Sequence, residues 1–168
     1  DTFTIQPGEV KTTWTQTDVV IQSDKPVMVS QILISNHYCE GAYIGDPSLT
    51  VYPPVEQFRT EYIVLTPGSW DKNYIVIEAE QGTSVSIDGQ SPGNCVITPS
   101  GTLNGKSYES RRCPVNEGAH AMTGDKPYGI VVYGYGSAGS YAFVGGADVL
   151  ESDTGVNRFA TGADDWWN

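Results

Sequence analysis

Two short runs constrain this chain more than anything else in it, Tyr62–Leu65 and Tyr74–Ala79. Each is a cluster of β-branched and aromatic residues, too short for an amphipathic helix. Thr66-Pro67-Gly68-Ser69 and Asp71-Lys72-Asn73 separate them with turn-forming residues, so the pair reads as a hairpin. Upstream, Tyr52-Pro53-Pro54 ends any central strand, because proline has no N–H to give the ladder. Val55–Arg59 then reads as one helical turn before the sheet. No window of about 11 residues or more repeats apolar side chains at i, i+3, i+4 and i+7. The rest of the 168 residues, punctuated by 19 Gly and 10 Pro, is therefore expected to add strands around that hairpin.

Taken in order, Phe3–Ile5, Val10–Trp14, Val19–Gln22 and Val27–Ser35 are expected strands. Asn36–Gly45 is an expected loop carrying His37, Tyr38 and Cys39. Further strands are expected at Ser84–Ile87, Ala119–Met122, Gly129–Tyr135 and Ser140–Val144. Val20–Val29 and Ala121–Val131 share a strand, Asp-Lys-Pro turn, strand pattern, since proline fixes φ and aspartate bonds nearby N–H groups. The expected fold is all-β, an antiparallel two-sheet β-sandwich with jelly-roll-like or duplicated topology, over residues 1–149. Residues 150–168 lose the strand pattern and read as an edge strand or a linker tail.

Twenty acidic residues against nine basic ones give a net charge of −11. Such a surface repels phosphate backbones and anionic lipid, which argues against nucleic-acid and membrane-surface binding. No apolar run approaches the roughly 18 residues needed to span a bilayer. Asp1 opens neither an initiator methionine nor a signal peptide, so the chain reads as a mature or excised fragment with neighbouring domains.

Cys39, Cys95 and Cys113 lack the paired spacing of a zinc site. Cys95 and Cys113 flank a polar excursion around Asn104-Gly105, the dipeptide preferred in a type I′ hairpin turn. Two readings stand: a disulfide closing that loop, which requires an oxidising compartment, or two separate reduced thiols. Cys39 is then free and buried, or paired beyond this chain.

Residues able to carry chemistry are few. Gly134-Tyr135-Gly136-Ser137-Ala138-Gly139 spells G-x-G-x-x-G, but strand-like Ser140–Val144 follows where a dinucleotide site needs a helix N-terminus. His37 and His120 are the only histidines, and neither sits in a recognisable nucleophile motif. No cofactor is expected, and no catalytic set. Asp148, Glu151 and Asp153 form an acidic cluster that could attract calcium, although no D-x-[DN]-x-[DN]-G loop accompanies it. Trp70, Tyr133, Tyr135 and Tyr141 fall in or beside strands and are expected to pack. Tyr108, Trp166 and Trp167 fall in loop or tail, where aromatics serve as binding anchors or sugar-stacking platforms.

The ordered set GDPSL, PPVEQFR, Y-x-V-L-T-P and NYIVI resembles the domain named after the IgG-Fc-binding protein of mucus, which also occurs in secreted and surface proteins of bacteria. SDKPV at Ser23–Val27, SIDGQ at Ser86–Gln90 and GDKPYGIVVYGYG at Gly124–Gly136 extend the likeness over roughly Pro7 to Val149. The resemblance implies a non-catalytic recognition or adhesion module of an extracellular or cell-surface protein. The matching segments are framework turns and strands, so they assign no binding residue. Carbohydrate binding through exposed aromatics and structural assembly are the competing readings, with a two-carboxylate hydrolase behind them.

Overall fold

The computed structural model describes residues 1–33 and 44–149. The protein is all-β and antiparallel, with nine strands among the described residues: β1 Val29–Leu33, β2 Ser48–Tyr52, β3 Arg59–Thr66, β4 Lys72–Glu80, β5 Val85–Ile87, β6 Val96–Leu103, β7 Lys106–Val115, β8 Gly118–Gly136 and β9 Gly139–Val144. β1 and β2 form a small sheet, and the other seven form a large one with the order β3-β8-β4-β7-β6, in which β5 and β9 also pair with β8. The expected helical turn is a single 3₁₀ turn at Val55–Gln57, just after Pro53-Pro54 ends β2.

β8 organises the fold. Its first half pairs with β3 on one edge and β5 on the other, and its second half with β4 and β9. The two runs that read as a hairpin are therefore not hydrogen-bonded neighbours, because β8 lies between β3 and β4. Local pattern identifies a strand but not its partner, and the buried edges of both runs are satisfied by a strand roughly 50–60 residues downstream.

The second Asp-Lys-Pro segment is likewise not a turn. Gly124-Asp125-Lys126-Pro127 bulges out of β8, since Arg59 faces Tyr128 while Glu61 faces Thr123. Proline cannot donate to the ladder, and a bulge is one of the few places a strand tolerates it. Tyr62 stitches the gap: its hydroxyl accepts from the Arg59 N–H at 3.0 Å and donates to the Tyr128 carbonyl at 2.5 Å. The Tyr62 and Tyr128 rings meet edge to face at 5.1 Å. Asp125 reaches sideways, accepting from the Ser84 N–H at 2.8 Å. The first Asp-Lys-Pro segment, at Asp24–Pro26, is a bend outside any strand, so the sequence echo is not a structural repeat.

Beyond the bulge the burial pattern changes. Before it, buried and exposed residues alternate; from Tyr128 to Gly134 every residue is buried. One face of the large sheet carries the main core, with Ile75, Ile77, Cys113, Met122, Tyr128, Ile130 and Val132 among its members. The opposite face is covered by Phe58, which lies against Gly129, and by Gly45, which lies against the Tyr135 ring. The N-terminal segment crosses the same face at β6, where Asp18 accepts from the Thr98 hydroxyl and Val20 lies against Gly101.

The expected strands at Phe3–Ile5, Val10–Trp14 and Val19–Gln22 do not form: residues 1–28 are extended or bent without ladder partners, and Trp14 is 79% exposed. Their alternation satisfies β-propensity, but propensity without a cross-strand neighbour does not make a strand. Of the expected Val27–Ser35 strand only Val29–Leu33 forms within the described residues; His37, Tyr38 and Cys39 lie outside them.

Candidate recognition surface

The Cys95–Cys113 disulfide is formed, with Cα atoms 4.2 Å apart, joining the start of β6 to β7. The Asn104-Gly105 turn between these strands has φ of 51° and 76°, the two positive values a type I′ turn requires. Tyr108 is not in a loop. It is half-buried within β7, between Gly101 of β6 and Glu80 of β4. Trp166 and Trp167 lie outside the described residues, as do Glu151 and Asp153. Asp148 is exposed, and its N–H donates to the Gln57 carbonyl at 2.8 Å. Among the described residues no three His, Cys, Asp or Glu side chains converge as a metal site, and no helix is long and apolar enough to cross a membrane.

The G-x-G-x-x-G glycines have a packing role. An added Cβ at Gly134 would stand 2.4 Å from Tyr141 Cε1, and one at Gly136 3.2 Å from Trp70 Cε3. Gly139 also faces the Trp70 ring. The glycines seat Trp70 and Tyr141, which meet edge to face at 5.1 Å, on the sheet.

His120 has an acid on one ring nitrogen and a hydroxyl on the other. Its Nδ1 lies 2.8 Å from Asp88 Oδ2, and its Nε2 lies 3.3 Å from Thr66 Oγ1. Nε2 also lies 3.0 Å from the Asn116 carbonyl oxygen, so both ring nitrogens have partners within the chain. The Thr66 hydroxyl already donates to the Asn116 carbonyl at 2.7 Å, and Thr66 is 1% exposed. The network instead pins the β5–β8 junction: Asp88 Oδ1 also accepts from the Ala121 N–H at 2.9 Å. The hydrogen bond from His120, then that from Ala121, hold the Asp88 carboxyl below its ordinary pKa.

A shallow groove beside the disulfide is lined by Thr83, Ser84, Ser86, Arg111, Thr123 and Asp125. Its polar groups are spent within the chain. Arg111 donates to Glu109 at 2.7 Å and to the Thr83 carbonyl at 2.6 Å, and the Ser86 and Thr123 hydroxyls pair at 2.7 Å.

Among the described residues, what remains open is apolar and lies on hydrogen-bonded strands. β3 is an edge strand among the described residues; its Tyr62, Val64 and Thr66 point inward, which turns Ile63 and Leu65 outward at 81% and 62% exposure. Opposite them in register on β8 stand Ala121 and Ala119, also exposed. The small sheet adds a second such face, with Ile32 directly across from Leu49 and both exposed. Sequence reasoning passed over these residues, because a run such as Tyr-Ile-Val-Leu does not say which side chains face out.

An antiparallel β-sandwich stapled by a disulfide, with His120 hydrogen-bonded within the chain and apolar side chains left open on an edge strand, has the make-up of a binding domain. The family model described as IgGFc binding protein matches residues 1–134, and the chain belongs to that family, a family of binding domains. The match takes in the N-terminal segment and runs nearly to the end of the organising strand β8; the last two residues of β8 and all of β9 lie beyond it. No curated protein and no solved structure matches the chain.

Proposed function

We propose that this domain is a non-catalytic recognition or adhesion module of a secreted or cell-surface protein, binding a protein partner through the face formed by Ile63, Leu65, Ala119 and Ala121. The observation that carries the reading is the outward Ile63–Leu65 pair on the edge strand of a chain belonging to a family of binding domains. Apolar side chains on a rigid strand lose little entropy on docking, and an edge strand can also pair its free backbone groups with an incoming extended segment. A net charge of −11 favours partners with a basic rim and speeds their encounter. The Cys95–Cys113 disulfide supports an oxidising, extracellular home.

The test is binding of the full chain to a defined panel of extracellular proteins and, in parallel, to a glycan array. An immunoglobulin Fc fragment, the ligand in the family's description, is the first probe. A protein ligand should lose at least about tenfold in affinity to an Ile63→Asp/Leu65→Asp double variant, as expected for central apolar anchors, with the melting temperature held. Saturable glycan binding lost on Tyr108→Ala or Trp166→Ala would replace this reading with a carbohydrate-binding module. Self-association alone, seen on sizing, would replace it with an assembly role.

A further inference from the structure

The main path of the large sheet runs from β3 to β6, and its two end strands differ. A free edge offers unpaired N–H and C=O groups to any extended segment, and proteins blunt such edges with proline, bulges or a covering segment. β6 has all three. It carries Pro99, its register with β7 shifts between Pro99 and Gly101, and the N-terminal segment crosses it, with Asp18 on the Thr98 hydroxyl and Val20 against Gly101. From Glu61 to Thr66, β3 has none of them among the described residues. That stretch holds no proline and no lysine, and its register with β8 runs unbroken from Thr123 to Gly118.

The side chains along this bare stretch decide what fits it. Alternation turns Glu61, Ile63 and Leu65 outward, while Tyr62, Val64 and Thr66 are buried. Glu61 stands at one end of the outward row. At the other, the Glu117 carboxylate lies against Gly68, where an added Cβ would meet its Oε2 at 2.8 Å. Both acids are exposed, and neither has a salt-bridge partner among the described residues. Arg59 lies beyond the register shift, opposite Tyr128. Two apolar side chains therefore stand between two open carboxylates.

We propose that the Glu61–Thr66 edge takes up an extended segment of another protein as an added β-strand, one with two alternate apolar residues between Lys or Arg residues. This rests on the reading of the Ile63–Leu65 face as the recognition surface, and names the kind of partner that face accepts. Backbone pairing supplies the affinity, the apolar pair beside Ile63 and Leu65 sets the register, and the carboxylates select basic flanks. A second copy of this chain, at a net charge of −11, is repelled by the same field.

The full chain and a synthetic peptide, KTVTVTK, test this by amide exchange followed by NMR. In the free chain, the N–H groups of Tyr62–Thr66 that face away from β8 should exchange fast, and saturating peptide should slow them at least about tenfold. A peptide N-methylated on its edge-facing amides should bind at least about tenfold more weakly, since it loses two or more backbone hydrogen bonds. A peptide with glutamate for lysine should bind roughly two- to fivefold more weakly, and that preference should reverse in Glu61→Lys/Glu117→Lys. Slow exchange of the outward groups before any peptide is added means that the edge is already occupied, and overturns the proposal. Equal binding by the N-methylated peptide, lost in Ile63→Asp/Leu65→Asp, overturns strand addition but leaves the recognition face standing. No protection by any peptide overturns the proposal as well, while the recognition reading is decided separately by the protein panel. Indifference to both charge exchanges overturns the assignment of a basic segment.

Discussion

Removal of the Cys95–Cys113 bond is the perturbation whose size the structure fixes most directly. The bond closes a loop with a sequence separation of 18, and cross-linking such a loop removes about 3 kcal/mol of conformational freedom from the unfolded chain. Cys113 is 1% exposed and belongs to the core, so substituting alanine leaves only a small void, and the entropic contribution dominates. For a chain of this size about 3 kcal/mol corresponds to a fall of roughly 6–12 °C in melting temperature. The loss should be felt first in β6, a mostly exposed strand at the end of the sheet that pairs only with β7 among the described residues. The assay is calorimetry of the native chain with and without reductant, beside a Cys95→Ala/Cys113→Ala variant, with hydrogen exchange to locate the loosening. A midpoint unchanged within about 2 °C in both would refute the reasoning, and would mean that the β6–β7 hairpin already persists in the unfolded state.

Two further outcomes follow from the packing. Gly134→Ala places a methyl 2.4 Å from the Tyr141 ring and 2.8 Å from the Lys72 carbonyl oxygen. One neighbour is backbone that cannot swing aside, so denaturant unfolding should show a loss of about 1–3 kcal/mol; unaltered stability would dismiss the aromatic-seat reading of the glycines. The Asp88 carboxyl is held below its ordinary pKa by His120, so its contribution is complete above the unfolded carboxyl's pKa and fades as pH falls through the depressed folded value. Asp88→Asn should therefore flatten the acid limb of the stability curve, and superimposable acid limbs for variant and native chain would show that the network carries no such linkage.

Strand character was legible wherever β-branched and aromatic residues clustered, as at Tyr62–Leu65, Tyr74–Ala79 and Gly129–Tyr135, because side-chain shape acts within a few residues. The Asn104-Gly105 turn and the cysteines flanking it were legible for the same reason, since turn chemistry and loop closure are local. Residues 3–22 looked equally strand-like and are not in strands. A strand exists only when another backbone takes up its N–H and C=O groups, and nothing in the local pattern states whether one arrives.

The outward apolar face of β3 was hidden by the same limit. All four residues of Tyr62–Leu65 are apolar, so alternation could not separate core from surface; the register with β8 turned Tyr62 and Val64 inward and left Ile63 and Leu65 in solvent. His120 and the G-x-G-x-x-G glycines read as candidate chemistry until their neighbours appeared from distant parts of the chain. What the sequence determined alone was the material: an antiparallel all-β chain, a closable cysteine loop, an acidic surface and a family likeness. The tertiary structure decided the partners, placing β8 between the two runs, Asp18 on Thr98 and Trp70 on the glycines. Local sterics set conformational preference residue by residue, whereas pairing and burial depend on groups brought together across tens of residues, and those act only once the chain has closed on itself.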